Sequence, residues 1–431
     1  MPQRTTTPTT LSPADAEECA RYASETCLRT GPPRLVGVEL EWLVQDVRDR
    51  AFPVDESRLS AALQSVSTSS RLPLGSALSR EPGGQVELSS LPAPSLARCV
   101  ADVREDLRVL RDGLSAYGYT LAGLGIDPWR QPQRAMLHLP RYQAMERLFD
   151  SFSPAGRFMM GASASVQVSV DAGTAEPGPL GHRRRWLLAH LLGPVLVASF
   201  ANSPMAAGRP TGWRSTRQAV WARLDPSRTL AAAAAPGTEP RTGWARYALD
   251  AAVMCVRGAD GNGPWSLLPG MTFRQWIEGG ADSAAGRPPT LDDFAYHLGT
   301  MFPPVRPQGY LELRMMDAQP GADGWVVPLA LTAALFDDVQ ATHAAEDAVR
   351  QLTVPQGPLA PRNALWLRAA RHGLTDPPLQ RAALACFTAA VAALSRMGLP
   401  DLQAAVAEFA DRYVARARCP ADDLLVAAAA R

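Results

Sequence analysis

Short segments of the chain alternate between apolar and polar residues, which is the pattern of β-strands whose two faces differ. In residues 36–42 the apolar side chains share one face, and Glu39 and Glu41 share the other. In residues 85–89 the polar face carries Glu87. The alternation therefore predicts two strands that each present carboxylates on one side of a sheet.

The same alternation recurs in two later segments. In residues 163–171 the polar face carries Gln167, and in the motif YLELR it carries Tyr310, Glu312 and Arg314. A sheet built from these segments has an apolar face for packing and a polar, mostly acidic face. The strands expected from the patterns span residues 34–46, 85–89, 120–126, 163–171, 251–257 and 309–315.

Helical signals lie between and after these strands. Residues 14–29 have helical spacing, and Ser95 is placed as the N-cap of a helix that ends before Gly118. From about residue 326 the chain is rich in alanine and leucine at helical spacing. Strands interleaved with helices, followed by a helical C-terminal section, predict an α+β fold.

Composition excludes several classes of function. The chain has 431 residues, 46% of them hydrophobic and 20% charged, with a formal net charge of +1. No polyelectrolyte signal points to a nucleic acid or to an anionic membrane. Every basic residue is arginine, because the sequence contains no lysine. A Walker-A loop, a Schiff-base enzyme, a Ser-Lys hydrolase and a protein kinase each need a lysine and are excluded.

The N-terminal residues, the longest apolar run and the cysteines indicate a cytoplasmic protein. Residues 1–12 are polar and rich in threonine and proline, so we expect a disordered tail. The apolar run 187–200 is too short to cross a membrane and is interrupted by His190 and Pro194. The six cysteines are widely spaced without a CxxC pair, which is typical of reduced thiols.

The acidic face has two explanations. An antiparallel sheet that wets one side alternates in the same way, but its polar face usually mixes residue types, and like charges placed opposite each other destabilise a sheet. A cluster of Glu39, Glu41, Glu81, Glu87 and Glu312 would instead need counter-cations. Oxygen ligands without cysteine or histidine select hard metals, so we expect Mg²⁺ or Mn²⁺ rather than zinc.

Carboxylate-bound Mg²⁺ commonly completes its coordination with substrate phosphates, and the chain has no phosphate loop. Phosphates would then be met by metal and arginine. The candidates are Arg217, Arg274, Arg306 and Arg314; for the first three a surface charge is the alternative. Arg314 shares a strand face with Glu312 and is placed beside the metal by that geometry.

Eight motifs in fixed order carry a family resemblance over residues 34–320: GVELEWLV, EPGGQVELS, SVQVSVD, FANSP, STRQAVW, GMTFRQ, FPPVR and YLELR. They resemble the plant-type glutamate-cysteine ligases and their actinobacterial relatives of the ergothioneine pathway. The resemblance implies a glutamine-synthetase-like fold, with an antiparallel sheet curved into a funnel. It also implies formation of γ-glutamylcysteine from glutamate, cysteine and ATP. Since motifs around Glu39 and Glu312 feed one site, we expect a single domain over residues 13–431.

The resemblance also implies roles for individual residues. Arg314 resembles the arginine that contacts the transferred phosphoryl group, with Arg274 and Arg306 as further nucleotide-binding candidates. Arg217 resembles the arginine that holds the α-carboxylate of glutamate. Trp221, Tyr247 and Tyr310 are candidate walls of the acceptor pocket, with ordinary core positions as the alternative. The residues that resemble metal ligands are Glu39, Glu41, Glu81, Glu87, Gln167 and Glu312, where Gln167 departs from the histidine often found in the bacterial branch.

Three rival functions stay open at this stage, one of them a non-catalytic acidic metal-binding module. Of the other two, the nearer is a carboxylate-amine ligase that joins glutamate to a different amine. The more distant is a two-metal phosphoester hydrolase, whose carboxylate clusters look alike but which gives no reason for Arg217. The expected partners are small molecules only, and the oligomeric state is left open between monomer and dimer.

Overall fold

The structure is a computed structural model. It describes residues 13–67, 71–132, 139–232, 239–258, 265–353 and 363–430. The tail expected at residues 1–12 therefore lies outside the described residues.

The described part of the chain contains strands and many helices, which confirms the α+β prediction. The strands are β1 Val36–Asp46, β2 Ala77–Arg80, β3 Val86–Ser89, β4 Tyr119–Ala122, β5 Ser165–Val170, β6 Met205–Ala206, β7 Arg209–Pro210, β8 Val305–Pro307 and β9 Leu311–Asp317. The helices are α1 Ala16–Cys27, α2 Glu56–Val66, α3 Leu96–Ala116, α4 Pro140–Phe152, α5 Ala155–Ala162, α6 His182–Leu191, α7 Gly193–Ser199, α8 Thr216–Trp221, α9 Pro226–Thr229, α10 Pro240–Asp250, α11 Phe273–Gly279, α12 Leu291–Leu298, α13 Val326–Asp337, α14 Val339–Thr353, α15 Ala364–His372, α16 Pro377–Arg396, α17 Pro400–Arg412 and α18 Pro420–Ala429.

One antiparallel sheet organises the molecule. Its strands follow the order β2-β3-β1-β5-β9-β8, and β4 pairs with the second half of β1. β1 and β9, which carry the motifs GVELEW and YLELR, both pair with β5 at the centre of the sheet. Segments that are more than 270 residues apart in the chain thus become near neighbours. The sheet is open, with β2 and β8 at its edges.

The apolar face of the sheet forms the core. Val38 and Leu40 on β1 and Val168 on β5 are almost completely buried. They belong to one hydrophobic cluster with α3, α7 and α13, so this face is covered by helices. The alternation in the sequence therefore separates two faces of the sheet. The apolar face belongs to the core, and the opposite face carries the glutamates.

Several predicted elements are confirmed with small shifts at their ends. Ser95 caps α3, since its Oγ accepts a hydrogen bond from the backbone N–H of Arg98 at 3.2 Å. Gly118 follows that helix with a φ of 73°, a conformation that favours glycine. The C-terminal section is helical from Val326 onward in the described residues. The apolar run 187–200 is two buried helices, α6 and α7.

The prediction of a strand at residues 251–257 is wrong. The segment follows directly on α10 and makes only isolated bridges, Ala252 with Thr272 and Val256 with Ser266. Its apolar residues are buried between helices, and a short apolar run does not distinguish that environment from a central strand. The edge strands β2 and β8 were not predicted, because ALSR in β2 does not alternate between apolar and polar residues and the three residues of β8 are too few to show a period.

Among the described residues, α16 is the one helix that is long and apolar enough to cross a membrane. Half of its most apolar window is buried inside the protein, where it packs with α13, α14 and α17. Its apolar character is therefore accounted for by the core of the C-terminal section.

Candidate active site

The polar face of the sheet brings together side chains from five strands and one turn. Glu41 on β1 is directly opposite Glu87 on β3, and Glu39 is directly opposite Gln167 on β5. Residues paired across antiparallel strands project from the same face, about 4.5–5.5 Å apart at Cβ. The register therefore places three glutamates and an amide in one patch.

Glu312 lies at the centre of the charge network. It is fully buried, with 0% of its surface exposed. Arg306 on β8 donates to both of its carboxylate oxygens, at 2.6 and 3.1 Å, and Arg314 donates to Oε2 at 2.9 Å. Such charge-assisted and bidentate hydrogen bonds are the strong ones. Burial alone would raise the pKa of Glu312, but these two arginines lower it to about 2.

Gln167 connects the two halves of the patch. Its Oε1 accepts a hydrogen bond from Arg314, and its Nε2 donates to Glu41 at 2.8 Å. The side chain is 1% exposed, so both contacts are inside the protein. An amide supplies one acceptor and two donors, and Gln167 therefore links an arginine to a carboxylate where a carboxylate could not.

Glu81 reaches the patch from the β2–β3 turn. Its backbone N–H donates to Gln85 and its carbonyl accepts from Gly84, both at 2.9 Å, which closes the turn just before β3. Glu87 follows in β3, where its Oε1 accepts hydrogen bonds from Ser79 at 3.1 Å and Ser89 at 3.2 Å. The Pro-Gly-Gly segment between the two glutamates thus returns the chain to the same face.

Glu39, Glu81 and Glu87 lack enough positive charge around them. Burial, with repulsion from Glu312 and Glu87, raises the pKa of Glu39 to about 9. Burial and neighbouring glutamates likewise raise the pKa of Glu87 to about 8 and that of Glu81 to about 7. The protein alone therefore gathers carboxylates that it does not neutralise.

The excess of carboxylates over nearby cations bears on whether the site fits a metal ion. Among the described residues, no three acidic, histidine or cysteine side chains are already arranged around one point. The donor set nevertheless consists of carboxylate oxygens and one amide, which are the ligands of Mg²⁺. A divalent cation would also supply the charge that the raised pKa values show to be missing. The chemistry of the donors thus fits Mg²⁺, although the side chains must move to hold it.

Arg217 lies beside the patch on α8. Its Nη2 donates to the carbonyl of Arg314 at 3.0 Å, and its guanidinium stacks on Trp221 at 4.6 Å from the ring centroid. It is 2% exposed, and its Nε has no partner among the described residues. The negative charge of Glu41 acts on it. Arg217 is therefore fixed close to the carboxylates with one donor still free.

Asp317 holds this arrangement and was missed by the sequence analysis. Its carboxylate accepts hydrogen bonds from Asn202 N–H at 2.9 Å, Ser203 Oγ at 2.7 Å and Ser215 Oγ at 3.0 Å. It lies 3.9 Å from Arg217. Its place at the end of β9 is visible in the sequence, but the donors come from motifs more than 100 residues away, and only the fold brings them together.

Arg141 was also missed. It lies in the first turn of α4, and its positive charge lowers the pKa of Glu81 against the effect of burial. Its guanidinium lies over the ring of Tyr296 at 5.6 Å, and its Nε has no partner among the described residues. No local pattern in the sequence marks Arg141 as part of a site.

A cavity of about 540 Å³ opens beside Glu39. Ser89, Ser169 and Tyr310 line it from the polar face, and Arg29 contributes a cation. Burial, together with Glu312 and Glu39, raises the pKa of Tyr310 to about 12. The volume is in the range of small-molecule sites.

Two candidates from the sequence lie apart from the patch. Arg274 on α11 is partly exposed and is paired with Asp250 at 2.7 Å. Tyr247 is stacked on Trp244 with ring centroids 5.4 Å apart, and its hydroxyl is buried without a partner among the described residues. The structure does not join either residue to the carboxylates, so the roles predicted for them stay predictions.

Comparisons with known proteins agree with the motifs. The sequence profile of glutamate-cysteine ligase family 2 (GCS2) matches residues 35–431. The chain is 38% identical over 411 residues to the glutamate-cysteine ligase EgtA of Mycobacterium tuberculosis, covering 95% of this chain and 89% of that protein. It is 31% identical over 267 residues to the chloroplastic glutamate-cysteine ligase of Brassica juncea, covering 61% of this chain and 50% of that protein.

The fold also has a solved counterpart. The crystal structure of the glutamate-cysteine ligase of Francisella tularensis in complex with AMP matches with a TM-score of 0.52 at 13% identity. The match covers 92% of this chain and 85% of that one. At this identity the likeness shows a shared fold.

Proposed function

The chain belongs to glutamate-cysteine ligase family 2, and from this membership we propose that it joins the γ-carboxylate of L-glutamate to the amine of L-cysteine. ATP is converted to ADP and phosphate in the same reaction. The product, γ-glutamylcysteine, feeds ergothioneine biosynthesis, as the resemblance of the motifs to the actinobacterial enzymes implies. The reaction takes place in the cytoplasm, in a single domain formed by residues 13–431.

The observation that carries the proposal is the joint placement of the glutamates and two arginines on one face of one sheet. Arg306 and Arg314 already hold Glu312, while the raised pKa values of Glu39, Glu81 and Glu87 show that the nearby arginines only partly compensate the negative charge of these carboxylates. A cation-dependent enzyme for a polyphosphate substrate needs this surplus of oxygen ligands beside arginines. A purely structural acidic cluster would be destabilising without a compensating use.

Glu39, Glu41, Glu81, Glu87, Gln167 and Glu312 are the residues that would hold Mg²⁺. Bound there, Mg²⁺ would supply positive charge to the phosphate oxygens of ATP. Mn²⁺ has the same preference for oxygen ligands and is the expected substitute.

The arginines stabilise the charge that develops during phosphoryl transfer. A γ-carboxylate oxygen of glutamate attacks the γ-phosphorus of ATP, which forms a γ-glutamyl phosphate and releases ADP. Arg314 donates to the transferred phosphoryl oxygens, and Arg306 keeps Glu312 ionised and in place. Fixed donors of this kind supply most of the protein's contribution to phosphoryl transfer.

Other residues position the substrates. Arg217 would bind the α-carboxylate of glutamate with its unpartnered Nε, and the ring of Trp221 fixes the position of its guanidinium. The cavity beside Glu39, which Tyr310 lines, is contiguous with the patch and would take the cysteine acceptor. The cysteine amine then attacks the acyl carbon, phosphate leaves, and the amide bond is complete. Water must be excluded, since it would hydrolyse the acyl phosphate.

ADP release tests the proposal. The enzyme is incubated with ATP, Mg²⁺ and glutamate, and a panel of amines that contains cysteine is added one at a time. We expect ADP to form fastest with cysteine and to depend on glutamate. Fast turnover with another amine while cysteine fails would assign a different carboxylate-amine ligase. Release of phosphate from a simple phosphoester without ATP or glutamate would assign a two-metal hydrolase.

A further inference from the structure

A second cavity, of about 630 Å³, lies where β1 and β4 end and the C-terminal helix α18 packs against them. It shares no lining residue with the cavity beside Glu39, and none of the six candidate metal ligands reaches it. Its walls are formed largely by apolar side chains, among them Leu121, Leu124 and Met205, and by Leu424 of α18. A space of this size in the described part of the chain can hold a small organic molecule.

The charged residues that line this cavity are all cationic. They are Arg50 and Arg111, and no aspartate or glutamate is among the lining residues. Neither arginine forms an ion pair within the described ranges. Other arginines, such as Arg104, Arg108 and Arg157, are paired with a carboxylate. Asp323 acts on Arg111 electrostatically without forming an ion pair with it, so the charged side chains that line the cavity itself are both cationic.

Polar groups that line the cavity have hydrogen-bond donors without an acceptor. The Nε2 amide of Gln45, a residue that is 4% exposed, has no hydrogen-bond partner among the described residues. A buried donor without a partner is destabilising. Arg111 uses Nη2 on the carbonyl of Ala322 at 2.6 Å, which fixes the guanidinium at the wall and leaves its other donors available. The donors of Gln45 and Arg111 therefore suit an anionic oxygen.

An aromatic surface completes the cavity. Trp129 lines the wall, and the guanidinium of Arg50 lies over its ring at 5.4 Å from the centroid. A planar ligand can stack on such a pair, because both the indole face and the guanidinium plane accept aromatic groups. Helix α18 contributes Ala427 and Ala428 to the lining.

We propose that this cavity is a second binding site, separate from the ligase site, for a small organic anion with an aromatic or apolar body. Its carboxylate, sulfonate or phosphate group would accept hydrogen bonds from Arg111 and Gln45, while its body packs between Trp129 and α18. The loop at residues 320–322 forms one wall, directly after β9, so an occupant touches the segment that continues the strand of Glu312 and Arg314.

The probe is 8-anilinonaphthalene-1-sulfonate, an aromatic anion, followed by its fluorescence on the full chain. We expect saturation at one site per chain, with no displacement by ATP and Mg²⁺. Arg111→Gln weakens this binding about tenfold, the effect of losing about 1.4 kcal/mol. The uncharged analogue N-phenyl-1-naphthylamine, which lacks the sulfonate, is expected to bind both proteins equally.

Two further variants keep the test decisive. Arg108→Gln, on the same helix α3 but paired on the surface with Glu105 and Asp112, is the matched control and leaves binding unchanged. Ala428→Trp fills the cavity from α18 and abolishes binding, independently of how Arg111→Gln folds. The proposal is overturned by non-saturable binding, by displacement with ATP, or by binding that neither Arg111→Gln nor Ala428→Trp reduces.

Discussion

At the scale of single residues, Glu39 and Glu312 are neighbouring carboxylates on one sheet face whose pKa values are shifted in opposite directions. Glu312 has two arginine partners that lower its pKa to about 2, whereas burial and repulsion raise the pKa of Glu39 to about 9. Both glutamates were predicted from alternation alone. Their different electrostatic states were not predictable, because they depend on Arg306, which reaches Glu312 from an edge strand too short to recognise.

Replacing Glu39 by glutamine separates stability from function. Glu39→Gln removes a carboxyl that burial and its glutamate neighbours force to take up a proton near neutral pH, so thermal unfolding in EDTA shifts upward by about 2 °C or more, since 1 kcal/mol corresponds to roughly 2–4 °C in larger domains. The same change weakens Mg²⁺ binding at least tenfold, because a neutral amide replaces a carboxylate ligand. Calorimetry with and without Mg²⁺ measures both effects.

The matched control for Glu39→Gln is Glu25→Gln, which changes an exposed glutamate on α1. It is expected to alter neither the unfolding temperature nor the effect of Mg²⁺. A fall in the EDTA unfolding temperature of Glu39→Gln, or an undiminished effect of Mg²⁺ on that variant, would contradict the prediction.

At the scale of elements, the strands with clear alternation were predictable and their partners were not. Residues 34–46 were recognised as a strand, observed as Val36–Asp46, because eleven residues give a visible period. The neighbours of that strand lie in β3 and β5, about 50 and 130 positions further along the chain, and no local pattern specifies such a pairing. The short helix α8 was likewise visible only as a motif.

The N-cap of α8 connects this element to the site. Ser215 Oγ accepts a hydrogen bond from Gln218 N–H at 3.2 Å and donates to Asp317 at 3.0 Å. Ser215→Ala removes both, and we expect a loss of about 1–2 kcal/mol in the free energy of unfolding. Because α8 carries Arg217, the KM for glutamate should rise severalfold while the KM for ATP changes little.

Ser95→Ala supplies the comparison for this prediction. Ser95 caps α3 with the same bond length, 3.2 Å, but α3 packs on the apolar face of the sheet. Urea denaturation should show a similar loss of stability, and steady-state kinetics should show no change in the KM for glutamate. An equal rise in that KM for both variants would contradict a positioning role for Ser215.

At the scale of the whole molecule, buried histidines set the acid limit of stability. His297 is 3% exposed, and its Nε2 bonds to the carbonyl of Ala248 at 2.9 Å. Burial and the nearby charge of Arg228 lower its pKa from the usual 6.5 to about 3. Burial also lowers the pKa of His190 to about 4. Both are therefore neutral in the folded protein, as expected for structural residues without a catalytic role.

A depressed folded-state pKa means that the unfolded chain binds the proton first. Stability supplied by neutral His297 is fully present above pH 6.5 and is lost as the pH falls toward its folded pKa. Between pH 7.5 and pH 5 the loss amounts to about 2 kcal/mol for this residue. The difference in unfolding free energy between the protein and its His297→Gln variant, measured at both pH values, isolates the effect. A difference independent of pH would contradict it.

The architecture as a whole follows from the convergence of distant motifs. The order of the motifs indicated one catalytic domain, and the pairing of β1, β5 and β9 in one sheet supports that proposal. The sequence could not predict contacts between side chains from distant elements of the site, such as the approach of Arg141 to Glu81 and of Arg217 to the end of β9. These contacts depend on helix packing and not on any spacing along the chain.

The most direct test of the account is the identity of the product. The protein and its Glu312→Gln variant are each incubated with glutamate, cysteine, ATP and Mg²⁺, and the products are analysed by mass spectrometry. The account predicts γ-glutamylcysteine with the unmodified protein and a loss of at least about 100-fold with the variant, since Glu312 joins both arginines to the site. Absence of γ-glutamylcysteine from the unmodified protein, or undiminished product from Glu312→Gln, would contradict it.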